Sequence, residues 1–286
     1  MDTRFWLIQA FNGVSYGALL FLVGSGLSLI FGVMRIVNLA HGSYFLLGSY
    51  VALSVIWTTG SWLLAIPIAG VAVALLGLVM ERIFLRPLGF DPLRQVLLTV
   101  GFALLFQQAA LDIWGGDSLD IIPPAALRQS VVIGGLYLPL YRVFMIGIAA
   151  TIGLILWLGI EKTRMGAAVR ATVDDAEMAR GVGIDTSRIS MFIFALGALL
   201  AGLGGVIGGA FLGVYPGLDF QILPVAFAVV IIGGMGSLGG AAIGALIVGL
   251  ADNFGKALFP EVSYFTLYAP MVLLLAVKPT GLFGRE

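Results

Sequence analysis

The sequence predicts an all-α polytopic membrane protein with eight or nine transmembrane helices, some short or broken, and a small external β-hairpin. Three observations carry this. First, 60% of the 286 residues are hydrophobic and only 10% are charged, with a mean hydropathy of +1.09. An ordinary soluble domain is roughly a quarter charged, and a soluble enzyme of this size could not bury so much apolar surface. Second, the charges interrupt long charge-free runs. Third, the basic residues gather in connections that fall on one side. A formal net charge of zero without a basic cluster excludes a disordered or nucleic-acid-binding chain.

The charge-free runs are Phe5 to Met34, Ile36 to Met80, Gln95 to Leu111, Val143 to Ile160, Ile189 to Leu218, Phe220 to Ala251 and Val262 to Val277. About 20 helical residues cross a bilayer core, and backbone groups in lipid need partners within the segment, which selects helices. The runs are apolar all round and lack the alternation of a β-barrel strand. The first run has no convincing small-residue cleavage site and reads as a retained helix, not a signal peptide. Ile36 to Met80 needs two spans, divided near Thr59, Gly60 and Ser61. Phe220 to Ala251 is either one long tilted helix or two short ones divided at Gly236 to Gly240. Together the runs form a single membrane domain over residues 1–286.

Parity and charge agree on orientation. Arg35, then Arg82, Arg86 and Arg94, then Lys162, Arg164, Arg170, Arg180 and Arg188 fall on one side, which the positive-inside rule makes cytoplasmic. Residues 112–141 are then external, and Gly134-Gly135 between two short β-prone stretches, Val131 to Leu138, predicts the hairpin. The N-terminus comes out external. The C-terminus, with Lys278 and Arg285, is internal if Phe220 to Ala251 makes two passes.

Small residues mark close helix contacts in lipid. Gly197, Ala201, Gly205, Gly209 and Gly213 recur every four residues, as do Gly236, Gly240 and Gly244, with Ser237, Ala241, Ala245 and Gly249 beside them. Gly24, Ser28 and Gly32 form a shorter stripe. Tight packing accounts for most of these. Gly233, Gly234 and Gly236 have a second reading, a broken helix that exposes backbone to a pathway.

Little in the chain could do chemistry. There is no cysteine and a single histidine, His41, so neither a thiolate site nor a multi-histidine metal site is possible. Asp112, Asp219 and Asp252 fall at predicted span ends, and Glu81 beside Arg82 reads as interfacial. No carboxylate relay crosses the core, which argues against a proton-driven carrier. Gly255-Lys256 lacks the spacing and hydroxyl of a phosphate-binding loop. No catalytic residue and no cofactor is assigned. His41, in Asn38-Leu39-Ala40-His41-Gly42 near the cytoplasmic border, reads as a buried hydrogen-bonding residue or as a gate or substrate contact. Asn12, Gln107 and Gln108 are amides inside spans, which bond across helices or line a pathway.

Residues 161–188 are the most charged stretch. Thr172-Val173-Asp174-Asp175 resembles a capping box, predicting a short helix from about Val173 to Arg180 that Gly181 and Gly183 stop. A further helix starts at Ser187. The stretch is either a lever for another protein or a solvated loop that sets topology.

Four stretches together resemble a known family. Gly32-Val33-Met34-Arg35-Ile36-Val37-Asn38-Leu39-Ala40-His41-Gly42, with Gly48, is similar to the N-terminal signature of branched-chain amino acid ABC transporter permeases of the LivH type. Met165-Gly166-Ala167-Ala168-Val169-Arg170-Ala171, with Asp175, Ala179 and Gly183-Ile184, is similar to their coupling loop. Gly233 to Gly240 resembles their glycine-rich segment, and Lys278-Pro279-Thr280-Gly281-Leu282-Phe283-Gly284 their ending, where Arg is commoner at the first place. The resemblance implies a permease of the bacterial or archaeal cytoplasmic membrane. Its implied partners are a second homologous permease subunit, two cytoplasmic ATPase subunits that bind the ATP, an external solute-binding protein and membrane lipid. It favours the lever, with Arg170, Asp174, Asp175, Glu177, Arg180 and Gly183 expected at the ATPase contact. Asn38, His41, Gly42, Gln107, Gly233, Gly234 and Gly236 are expected in the pathway or its gate. A secondary carrier or channel working without ATPases is the alternative.

Overall fold

The structure is a computed structural model that describes residues 3–89 and 91–284; Arg285 lies outside the described residues. Among them are eleven α-helices and one two-stranded sheet: α1 (Thr3–Met34), α2 (His41–Thr59), α3 (Trp62–Val79), α4 (Pro92–Trp114), β1 (Ser130–Ile133), β2 (Leu136–Pro139), α5 (Leu140–Lys162), α6 (Arg164–Asp174), α7 (Ala176–Gly181), α8 (Thr186–Leu212), α9 (Leu218–Gly233), α10 (Leu238–Leu258) and α11 (Ser263–Val277). Seven helical stretches are long and apolar enough to cross a membrane. The other two of the nine segments, α2 and α9, begin inside the fold. The chain is thus the polytopic all-α protein that the composition requires.

The glycines decide which helix lies at the centre. In α1 the most apolar stretch is 78% buried, whereas the stretch formed by α11 is 6% buried. A helix apolar on every face belongs in the interior, and glycines on several faces of α1 let neighbours approach. Methyl groups added at Gly24, Gly26 and Gly32 would lie 2.7 Å from Val229 Cγ1 of α9, 2.6 Å from Gly197 O of α8 and 2.7 Å from Gly236 Cα. One at Gly13 would lie 2.9 Å from Leu250 Cα of α10. These pairs also give directions. Gly24 with Val229 and Gly32 with Gly236 make α9 parallel to α1. Ser28 Oγ on Ser237 O and Gly13 beside Leu250 make α10 antiparallel to it. Phe220 to Ala251 therefore folds as two antiparallel helices, divided at Gly234 to Ser237.

Elements end where the local chemistry demands. Gly60 takes a left-handed φ of 68° to stop α2, and Ser61 Oγ accepts from Leu64 N to start α3. Gly134 and Gly135, at φ 60° and 79°, form the tight turn of the β1–β2 hairpin. Gly213, at φ 79°, lies past the end of α8 and so leaves the helical stripe in which its spacing had placed it. The hairpin and the Leu119–Val214 bridge lie at one end of the bundle. At the other end, Val33, Arg86, Gln95 and Arg180 border one cavity. Arg4, Arg128, Arg142 and Lys256 belong to the hairpin end, so the other end is the more basic and is cytoplasmic.

The tight helix contacts carry a measurable consequence. A methyl group at Gly205 would overlap Phe45 O of α2, whereas one at Gly101, on the exposed side of α4, meets nothing. Gly205→Ala is expected to destabilise the detergent-solubilised protein by about 1–3 kcal/mol. Gly101→Ala should be neutral or mildly stabilising. Thermal unfolding of the two purified variants checks the contrast.

Candidate functional site

The first group of predicted residues converges where α2 and α9 begin. The chain leaves α1 through Arg35, whose φ of 54° is unusual for a residue with a side chain. It then runs extended back into the fold. His41 Nε2 thereby reaches 3.0 Å from Val23 O, a carbonyl about 16 Å back from the end of α1. His41 is fully buried, so its expected place at the cytoplasmic border is corrected. Two backbone groups of the segment are met at that depth: Leu39 N donates to Thr99 Oγ1 at 3.2 Å and Ala40 N to Asn38 Oδ1 at 3.1 Å, while Asn38 Nδ2 is buried without a hydrogen-bond partner. Asn38 acts here as a backbone partner. Gly42 lets α9 come close, since a methyl group there would lie 2.5 Å from Asp219 O.

α9 starts the same way. Gly217, at φ 99°, turns the chain inward, and the first turn carries Asp219, which is 2% exposed. Its Oδ2 accepts from Ser43 Oγ at 2.9 Å. Its Oδ1 makes no hydrogen bond and faces the backbone N–H groups at the helix start, where a carboxylate is favoured. Gln107 joins this group, its Nε2 being 3.7 Å from where a Gly217 methyl would sit. Gln108 instead turns outward to Asp112 Oδ1 at 2.9 Å. Tyr50, further along α2, has an unpartnered hydroxyl within electrostatic reach of Asp219. Two helix starts, several polar atoms without partners and a buried acid therefore meet inside the apolar bundle. That arrangement suits a polar solute passing between α2 and α9.

Gly233, Gly234 and Gly236 lie at the other end of α9, away from this group. The helix breaks there, but the broken backbone is covered. Leu282 N donates to Ile232 O at 2.9 Å and Phe283 N to Gly233 O at 3.0 Å. The expectation of backbone open to a pathway is corrected accordingly: the C-terminal tail and Gly240 fill the break.

The charged stretch folds as two helices, not one. Thr163 Oγ1 caps α6, accepting from Gly166 N at 3.0 Å. Thr172, expected to open a helix, is buried within α6 and donates to Ala168 O. The cap of α7 is Asp175, whose Oδ1 accepts from Glu177 N and Met178 N, each at 2.9 Å. Asp185, not Ser187, caps α8 through Arg188 N at 3.1 Å. Asp174, Asp175, Glu177, Arg180 and Gly183 are exposed, with Met178 and Val182 standing out beside them. Arg170 differs from this group. Its guanidinium binds Ile160 O and lies 3.6 Å from Glu161 Oε2, which ties α6 to the end of α5.

Three buried acids escaped the charge pattern. Asp219 does lie at a helix start, but the 16-residue α9 is too short to begin at a membrane surface. Its length was the available signal. Glu81, read as interfacial, is 2% exposed because a π-helical turn, Met80–Leu85, follows α3 and rotates it inward. Nothing in the sequence marks that turn. Asp252 of α10, also expected at a span end, is 4% exposed and paired with Lys256 Nζ at 2.8 Å, so the interior holds three acids that the charge pattern did not reveal. Among the described residues no three His, Asp or Glu side chains gather as metal ligands.

Comparison with known proteins places the chain. Residues 9–275 match the family described as branched-chain amino acid transport system / permease component. The chain is 31% identical to the high-affinity branched-chain amino acid transport system permease protein LivH of Escherichia coli K12, over 98% of the chain and 96% of that protein. It is 28% identical to BraD of Pseudomonas aeruginosa, with the same coverage. With LivM of Escherichia coli it shares 27% identity over 91% of the chain and 67% of LivM. No solved structure gives a significant match. The membrane spans and these relatives make it a multi-pass inner-membrane protein, and the chain belongs to the branched-chain amino acid transport permease family.

Proposed function

We propose that the chain is a permease subunit of an ATP-driven importer for branched-chain amino acids or related small solutes. It works with a second, homologous permease subunit, two cytoplasmic ATPases and an external solute-binding protein. The observation that carries this is the α6–α7 pair. It stands on the basic face, outside every span, with its acids and two apolar side chains exposed. Similarity to both LivH and LivM supports a paired permease. The chain itself carries no phosphate-binding loop. It is not assigned as an enzyme.

The geometry suggests how a push would travel. α6 is tied to α5 through Arg170, and α7 to α8 through the turn at Gly183, where Ile184 N donates to Ala179 O at 3.0 Å. α8 meets α1 and α2 across glycines, so it moves them as packed bodies, not by side-chain rearrangement. Displacement of α2 against α9 opens or closes the polar group of Asn38, His41, Gly42, Gln107 and Asp219. Gly233, Gly234 and Gly236 form the closed cytoplasmic end.

One observation favours the alternative of a carrier or channel acting alone. Asp219 and Glu81 are buried acids, and such groups in membrane proteins often serve proton coupling. The decisive measurement is uptake of radiolabelled leucine into liposomes. The importer requires the second permease and the ATPases, so the purified chain alone should give no uptake, and uptake by it would sink the proposal. In the assembled transporter, replacing Asp175 and Glu177 by Lys should cut ATP-driven uptake at least about tenfold while ATP hydrolysis continues. Unchanged uptake would remove these residues from the ATPase contact. Asp219→Asn keeps the shape and a Ser43 contact but loses the charge. We expect it to reduce leucine uptake by roughly ten- to a hundredfold with insertion unaffected, read from initial rates against membrane abundance.

A further inference from the structure

A cavity of about 370 Å³ lies between the end of α1, the π turn after α3, the start of α4 and the chain leading through α7 into α8. That volume suits a small molecule. Its wall has three chemically distinct parts. Glu81 supplies a buried carboxylate whose Oε2 has no hydrogen-bond partner. Arg86 and Arg180 supply cations, and Ser187 and Ser190 supply hydroxyls at the start of α8, whose cap Asp185 also borders the cavity and is paired with Arg188 Nε at 2.9 Å. Ile36, Leu85 and Ile184 supply apolar surface. Arg86 and Arg82 lie within electrostatic reach of Glu81, but a buried carboxylate oxygen without a hydrogen bond is still costly, and π turns are frequent at functional sites.

We propose that this cavity is a cytoplasmic-side binding site for a zwitterionic α-amino acid with a branched aliphatic side chain. The ammonium group meets Glu81. The carboxylate faces Arg86, Ser187 and Ser190. The side chain lies among Ile36, Leu85 and Ile184. The choice of amino acid rests on the importer reading; the cavity and the unbonded Oε2 of Glu81 do not. Thr172 of α6 and Arg180 of α7 border the same cavity. A bound amino acid therefore joins the coupling loop to the ends of α1 and α3 and hinders the loop's movement. Imported solute that accumulates inside would slow further import.

The test uses the full chain in lipid nanodiscs and radiolabelled L-leucine. Saturable binding is expected, with Glu81→Gln weakening it about tenfold or more. Ile184→Trp, which fills the apolar part, should abolish it and covers the case in which Glu81→Gln does not fold. 4-Methylpentanoate, which lacks the ammonium group, should not compete. Gly101→Ala, on the exposed side of α4, should bind leucine as the parent does. Equal affinity in Glu81→Gln, effective competition by 4-methylpentanoate, or binding that survives Ile184→Trp would overturn the site. In liposomes holding the assembled transporter, leucine preloaded on the ATPase side should lower initial uptake, and Glu81→Gln should relieve this. Uptake indifferent to preloading would overturn the inhibitory role. Should the lone chain prove to transport without ATPases, the importer reading fails while the nanodisc result still decides the site.

Discussion

Each backbone N–H and C=O group inside an apolar layer needs a partner from the protein, because lipid offers none. The helices meet that demand by themselves, and the breaks between them do not. Three breaks lie within the bundle: residues 35–40, 213–217 and 234–237. Thr99 and Asn38 serve the first. Leu119, paired with Val214 through two 2.8 Å hydrogen bonds, serves the second. Residues 282 and 283 of the tail serve the third. Distant parts of the chain are thereby bound to one another: α4 to the start of α2, the external loop to the start of α9, and the C-terminus to its end.

Two of these breaks create the polar group inside the bundle. A helix that starts inside the fold brings its partly positive end and its first side chains with it. α2 brings His41, Gly42 and Ser43, and α9 brings Asp219. The meeting is possible because Gly42 presents no side chain to the α9 backbone. A solute without a large charge would find hydrogen-bonding atoms there at small desolvation cost, in a bundle otherwise walled by Leu, Val and Phe.

The helices around that group meet across glycines as closely packed parts. α8 stands between the charged loop and both α1 and α2, and its glycines bring backbones together with little flexible side chain between them. Close-packed interfaces of this kind shift between discrete arrangements more readily than they deform. The short α7, its Asp175 cap and the turn at Gly183 stand at the start of α8, and Arg170 ties α6 to α5.

By itself the sequence determined the membrane class, a count of eight or nine segments, the hairpin, the basic face and the family, because each follows from composition, run length or local spacing. The contacts of α1 with α9 and α10 decided between the two counts. Hydropathy needs no tertiary contact to be read, and Gly134-Gly135 fixes its turn locally. Depth was not legible. Whether His41 lies at a surface or opposite Val23 depends on the chain turning back after Arg35. Whether Asp219 and Glu81 face water depends on α9 starting inside and on one π turn. The same holds for Gly233 and Gly234, which spacing alone leaves open and the tail closes. Only the tertiary structure decides these points, because the burial of a polar atom is set by neighbours remote in the chain, and local pattern carries no record of them.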